Sequence, residues 1–106
     1  MFSACPIFDR RKAGLVRLCA RHKAAVIEDE PYRELLDDAA QNKPLKAWDR
    51  DGGVIHCASL NKVLAPGLRP GWMSSGRWHA RVKMLKFAQS RNNESLSPAV
   101  VNPWIV

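Results

Sequence analysis

Ser59-Leu60-Asn61-Lys62-Val63-Leu64-Ala65-Pro66-Gly67-Leu68-Arg69-Pro70-Gly71-Trp72 is the run from which the rest of this chain is read. It sets one lysine, Lys62, three residues after Ser59 and seven before Arg69, with Pro66-Gly67 and Gly71 breaking an otherwise apolar stretch. An amine that acts as a nucleophile must shed its proton, and a partly apolar surround or a nearby cation favours this by penalising the ammonium form. Leu60, Val63, Leu64 and Leu68 are the candidates for that surround. Ser59 offers a hydroxyl, and the planar, multi-donor guanidinium of Arg69 grips a phosphate better than a lone ammonium does.

A nucleophilic lysine beside a phosphate clamp is the requirement for holding pyridoxal phosphate. The spacing resembles the lysine segment of the fold-type I pyridoxal-phosphate enzymes, the aminotransferase class I/II superfamily, which reads roughly Ser-x-x-Lys followed by Pro-Gly-x-Arg-x-Gly. The run Leu64 to Arg69 looks most similar to the branch that includes the aminotransferase-like domains of GntR/MocR-type transcriptional regulators. The resemblance implies that Lys62 carries the cofactor covalently and that Ser59 and Arg69 bind its phosphate. A second run, Val26-Ile27-Glu28-Asp29-Glu30-Pro31-Tyr32, is similar to the Asp-x-x-Tyr that the family places before the lysine. By that resemblance Asp29 pairs with the pyridine nitrogen and Tyr32 donates to the ring's phenolic oxygen. Without the resemblance, three acids in a row read as a solvated turn.

The chain has 106 residues, 46% hydrophobic and 25% charged, which is the composition of one modest folded domain. A complete fold-type I subunit is much longer, so the resemblance implies an internal piece of the large cofactor domain: residues 1–106 as a partial domain, the match running from about 11 to 101. The expected fold class is α/β, three strands of the family sheet with flanking helices. No stretch approaches the ~20 apolar residues of a membrane span and no secretory leader opens the chain, so a cytoplasmic setting is expected. Cys5, Cys19 and Cys57 are widely spaced and read as reduced, structural cysteines.

The formal charge of +7 is uneven, with 10 basic and 8 acidic side chains in residues 1–50 against 7 and 2 in residues 51–106. A basic half is able to meet nucleic acid. The expectation preferred here is a surface that pairs with the remainder of a longer protein.

Taken in order, Asp9 is a candidate helix N-cap, and Leu15, Leu18, Cys19 and His22 follow at helical spacing over about 13 residues. Ala24 to Ile27 reads as a strand buried on both faces. Residues 33–50 are polar except for Pro44 to Trp48, an apolar turn with Trp48 against the body of the domain. Asp51-Gly52-Gly53 signals a turn into a second strand, Val54 to Ala58. His56 within it reads as a hydrogen-bonded core residue rather than a metal ligand, as do His22 and His79. A third strand over 69–73 is expected to be antiparallel, with Pro70 removing a backbone donor at its start. Ser74 or Ser75 then caps a helix to about Arg91 with Trp78, Val82, Leu85 and Gln89 as its core stripe.

The glycine- and serine-containing phosphate loop, the stacking aromatic and the substrate-carboxylate arginine of the family are not in this sequence. The resemblance implies transamination of amino acids by homodimers in intact relatives, and a chain that is inactive alone and self-associates through exposed strand edges. The alternatives are an effector-domain piece that senses pyridoxal phosphate and a small basic nucleic-acid-binding protein, the latter the less expected.

Overall fold

The computed structural model describes residues 8–32, 43–67 and 69–90. Leu68 and the expected features at 33–42 and beyond 90 lie outside the described residues. A mixed α/β arrangement results: helix α1 (Asp9–Arg21), strand β1 (Val26–Asp29), a 3-10 turn (Leu45–Trp48), β2 (Val54–Ser59), β3 (Gly71–Ser74), a second 3-10 turn (Gly76–Trp78) and helix α2 (His79–Ser90). The sheet order is β1-β2-β3, with β1 parallel to β2 and β3 antiparallel to β2.

Helix α1 has the expected length, but Phe8 rather than Asp9 occupies the N-cap position, and Asp9 contributes an acidic side chain to the first turn, where it favours the helix dipole. The buried residues are Lys12 and Val16, while Leu15 and Leu18 stand 39% and 52% exposed. The inward face is therefore rotated by about one residue, roughly 100°, from the predicted stripe. The cause is the 3-10 turn against which α1 packs. Lys12 lays its apolar stem inward, donates from Nζ to the Lys43 carbonyl at 2.6 Å and holds its ammonium 6.0 Å from the centre of the Trp48 ring.

The first strand begins two residues later than expected. Ala24 N–H still bonds the Cys19 carbonyl at 2.9 Å, and Lys23 takes a left-handed φ of 53°, so the helix exit consumes Ala24. The expectation of a strand buried on both faces also fails, since Ile27 is 71% exposed. Alternation gives β1 one covered face, where Glu28 is only 5% exposed, and one open face carrying Ile27 and Asp29. Val54, 1% exposed, anchors the covered face.

Asp49 organises the entry into β2. Its Oδ1 accepts the Gly53 N–H at 2.9 Å, while its Oδ2 accepts the Val54 N–H at 3.0 Å and pairs with Lys46 Nζ at 2.8 Å. Burial pushes its carboxyl pKa up, but the Lys46 bond and the two backbone donors outweigh this and leave it below the usual carboxylate value. A depressed folded-state pKa contributes stability that is present above the unfolded pKa and lost as pH falls through the folded one. The chain is thus expected to lose stability below about pH 4. In Asp49→Asn that acid limb should flatten, as read by denaturant midpoints across pH; an unchanged limb would remove Asp49 from the account.

Two glycines let the second 3-10 turn close on this corner. Gly52 and Gly76 have φ of 68° and 53°, and a Cβ on Gly76 would lie 2.5 Å from the Gly52 carbonyl oxygen. Arg77 N–H bonds that same oxygen at 3.0 Å.

Helix α2 starts at His79, later than expected; Ser75 is buried but makes no side-chain cap. None of its residues is buried, so the predicted stripe does not form a closed core. Leu85 is 48% exposed, and Val82 and Leu85 look across a groove of about 810 Å³ toward Ile27, Ile55, Cys57 and Met73. Burial, and secondarily the Asp29 charge, push the Cys57 thiol pKa up, as expected of an unreactive thiol. No helix among the described residues is long and apolar enough to cross a membrane.

Candidate functional site

The five residues singled out in the sequence lie on two strand ends and the loop that joins β2 to β3. Asp29 closes β1 opposite Cys57 of β2, and Ser59 closes β2 two residues later. Because β1 and β2 run parallel, Asp29 and Ser59 emerge at the same end of the sheet, the end where ligands of open α/β sheets gather. Tyr32 follows in the turn after β1, 55% exposed.

The loop is built as one helical turn and a return. Val63 and Leu64 N–H groups both bond the Leu60 carbonyl, at 3.2 and 2.9 Å, which sets Lys62 on the outer side of the turn, exposed. Ser59 Oγ donates to Asn61 Oδ1 at 3.2 Å. Leu60 N–H bonds the Pro70 carbonyl at 3.2 Å, and Ser59 pairs with Gly71 in the antiparallel ladder. Arg69 is thereby tied next to the end of β2, close in the chain path to Ser59 and Lys62.

Pro70 does not disturb this arrangement. It lies just before β3 and supplies the carbonyl that the ladder needs, so its missing N–H falls outside the strand. Gly71 allows the close approach: a Cβ there would sit 3.1 Å from the Ala58 carbonyl oxygen and 3.6 Å from Ser59 Cβ.

The expected apolar surround of Lys62 is not closed among the described residues. Val63 and Leu64 are 37% and 58% exposed, because nothing described packs over the loop.

Sequence reasoning missed a side chain that joins three parts of the described structure. Glu28, read as part of a solvated acidic turn, points into the covered face. Its Oε1 accepts the Leu45 N–H, and its Oε2 accepts the Lys46 N–H at 3.2 Å and lies 3.0 Å from His56 Nδ1. A carboxylate only accepts, so Nδ1 carries the proton in this pair. Glu28 and His56 are register partners across the parallel ladder. The missed signal is period-two alternation, which puts Glu28 and Asp29 on opposite faces.

The solved and curated proteins that resemble this chain speak to the same segment. Over 85 residues it is 39% identical to the HTH-type transcriptional regulator YjiR of Escherichia coli, covering 80% of this chain and 18% of that protein. Over 67 residues it is 39% identical to aromatic-amino-acid aminotransferase 1 of Thermococcus litoralis, covering 63% of this chain and 16% of that enzyme. The crystal structure of the multiple substrate aminotransferase from Thermococcus profundus superposes with a TM-score of 0.83 and 26% identity, over 93% of this chain and 25% of that one. This chain carries a segment of the fold-type I aminotransferase superfamily. No protein-family model matches it. The aminotransferase segment spans about a fifth of the length of the curated relatives it matches, and its three strands and flanking helices are the part of the fold that bears the loop described above.

Proposed function

We propose that the chain is a half-site for pyridoxal phosphate, part of an aminotransferase-type cofactor domain. Lys62 attaches the cofactor through its amine, Ser59 and Arg69 hold the phosphate, Asp29 faces the pyridine nitrogen and Tyr32 donates to the phenolic oxygen. The observation that supports this most is the parallel pairing of β1 with β2, which brings Asp29 and Ser59 to one end of the sheet, together with the Leu60–Pro70 bond that ties Arg69 next to the end of β2. The donor set fits the group: an amine for its aldehyde, a hydroxyl and a guanidinium for its phosphate, a carboxylate for its ring nitrogen.

When bound, the cofactor supplies an electron sink for charge developing at the α-carbon of an amino-acid substrate. The residues do the rest. Asp29 keeps a proton on the ring nitrogen, Arg69 neutralises the phosphate, and in a whole domain Lys62 takes and returns the proton at the substrate α-carbon. The chain by itself is proposed to capture cofactor without turnover, since Lys62 and Tyr32 stand exposed and no described residue covers the loop to exclude water.

The test is a titration with pyridoxal phosphate and, separately, with pyridoxal, which lacks the phosphate, followed by visible absorption. Arg69→Ala should weaken the phosphorylated ligand by about tenfold, the value of one charge-assisted contact, and leave pyridoxal unchanged. Equal weakening of both, or no saturable binding of either by the parent chain, contradicts the proposal.

The similarity to HTH-type regulators supports a second reading, in which the same residues hold the cofactor as a signal in an effector domain. A reading frame that continues upstream into a winged-helix segment would decide for it. In either case dimers and amino-acid substrates belong to the proposed parent. The chain itself is proposed to self-associate through the open faces of Ile27, Trp72 and Met73, exposed by 71%, 50% and 48%. Sedimentation velocity should show concentration-dependent species; a monodisperse monomer at every concentration contradicts this. The proposed setting is the cytoplasm, supported by Cys19 and Cys57 being free thiols.

A further inference from the structure

We infer that Glu28, Glu30 and His56 form a binding site for a divalent transition-metal ion of the zinc class, on the covered face of the sheet and separate from the Lys62 loop. Glu28 and Glu30 share one face of the chain path by alternation, and His56 joins them as the register partner of Glu28 on β2. One donor atom from each of the three lies within 4.8 Å of the other two. A tetrahedral ion with ligands at ~2.0–2.1 Å needs donors about 3.3 Å apart. The Nδ1 to Oε2 pair is already at 3.0 Å. Closing the triad on an ion brings its widest-spaced donors, within 4.8 Å of one another, closer by up to about 1.5 Å.

The donor set selects the ion. One imidazole nitrogen and two carboxylates suit zinc, cobalt or nickel, whereas magnesium and calcium take all-oxygen sites. Two carboxylates supply the charge that a dication requires, and the competing Lys46 ammonium is already engaged by Asp49 Oδ2 and the Val54 carbonyl. Glu28 is also held in place from behind. Each of its oxygens takes one backbone N–H, from Leu45 and Lys46, and each keeps acceptor capacity for an ion. Such outer donors fix a ligand's orientation in metal sites. Burial of Glu28 and partial burial of the other two limit competition from water. The ion takes the position of the proton that Nδ1 shares with Glu28, and that proton leaves to solvent. Three protein ligands leave a fourth position for water.

The experiment is calorimetric titration of the full chain, freed of metal, with zinc chloride, paired with cobalt(II) absorption. The expected result is one equivalent bound, with a cobalt spectrum that lacks thiolate charge transfer. Glu30→Gln and His56→Gln should each weaken binding at least about tenfold. The variants Cys19→Ser, Cys57→Ser, His22→Gln and His79→Gln should bind as the parent does. Glu30→Gln spares the backbone contacts of Glu28 and therefore decides the matter if His56→Gln proves unfolded. No binding, binding unchanged in Glu30→Gln, or binding lost in the cysteine variants overturns the inference.

Discussion

Glu28→Ala is expected to leave the chain unfolded in buffer. The substitution strips the acceptor from the Leu45 and Lys46 N–H groups and from His56 Nδ1, all in a covered part of the molecule. Each buried donor left without a partner costs about 1–3 kcal/mol. Taken together these losses rival the ~5 kcal/mol at the low end of whole-domain stability. Little else compensates: Val16 and Val54 are the buried apolar residues among those described. Glu28→Gln keeps one acceptor oxygen and turns an amide N–H toward a backbone N–H, so it should fall between the parent and the alanine variant. Urea melts followed by far-ultraviolet circular dichroism check the order. An alanine variant that melts within about 1 kcal/mol of the parent would mean that water satisfies these donors and that Glu28 is no clip.

The second large effect is at Lys62. Under the proposed role, Lys62→Ala removes the only amine positioned at the β2 end of the site among the described residues, and borohydride-fixed incorporation of the cofactor at this position should fall to nothing. Lys62→Arg keeps the positive charge and part of the phosphate attraction but has no primary amine, so it should bind reversibly and never be fixed. That pair separates covalent attachment from electrostatic retention. Equal fixation in parent and Lys62→Ala would mean that other surface lysines react and the loop has no special place.

Much of the Lys62 loop was legible in the sequence because its information is local. Pro66-Gly67, Gly71 and the Ser-x-x-Lys spacing specify a turn and a return that depend on nearby backbone bonds such as Leu60 to Pro70. The two strands around it were legible for a similar reason, with β2 found within one residue of its expected end. The burial pattern was not legible. Apolar spacing in α1 and α2 describes faces meant for a larger body than the one described here, so Leu15, Leu18 and Leu85 stand exposed while the stem of Lys12 goes inward. Runs of charge hide alternation in the same way. Glu28-Asp29-Glu30 reads as uniform acid, yet the pleat sends Glu28 to a covered face and Asp29 to the open one. The register that pairs Glu28 with His56 spans 28 residues and appears only once β1 and β2 are aligned.

The central claim is that this segment still presents Lys62 as the cofactor-binding amine. Peptide mapping by mass spectrometry after stoichiometric pyridoxal phosphate and borohydride tests it most directly. The account predicts a single pyridoxyl adduct on the peptide containing Lys62. Adducts scattered over Lys23, Lys43, Lys83 and Lys86, or no adduct at all, would contradict it.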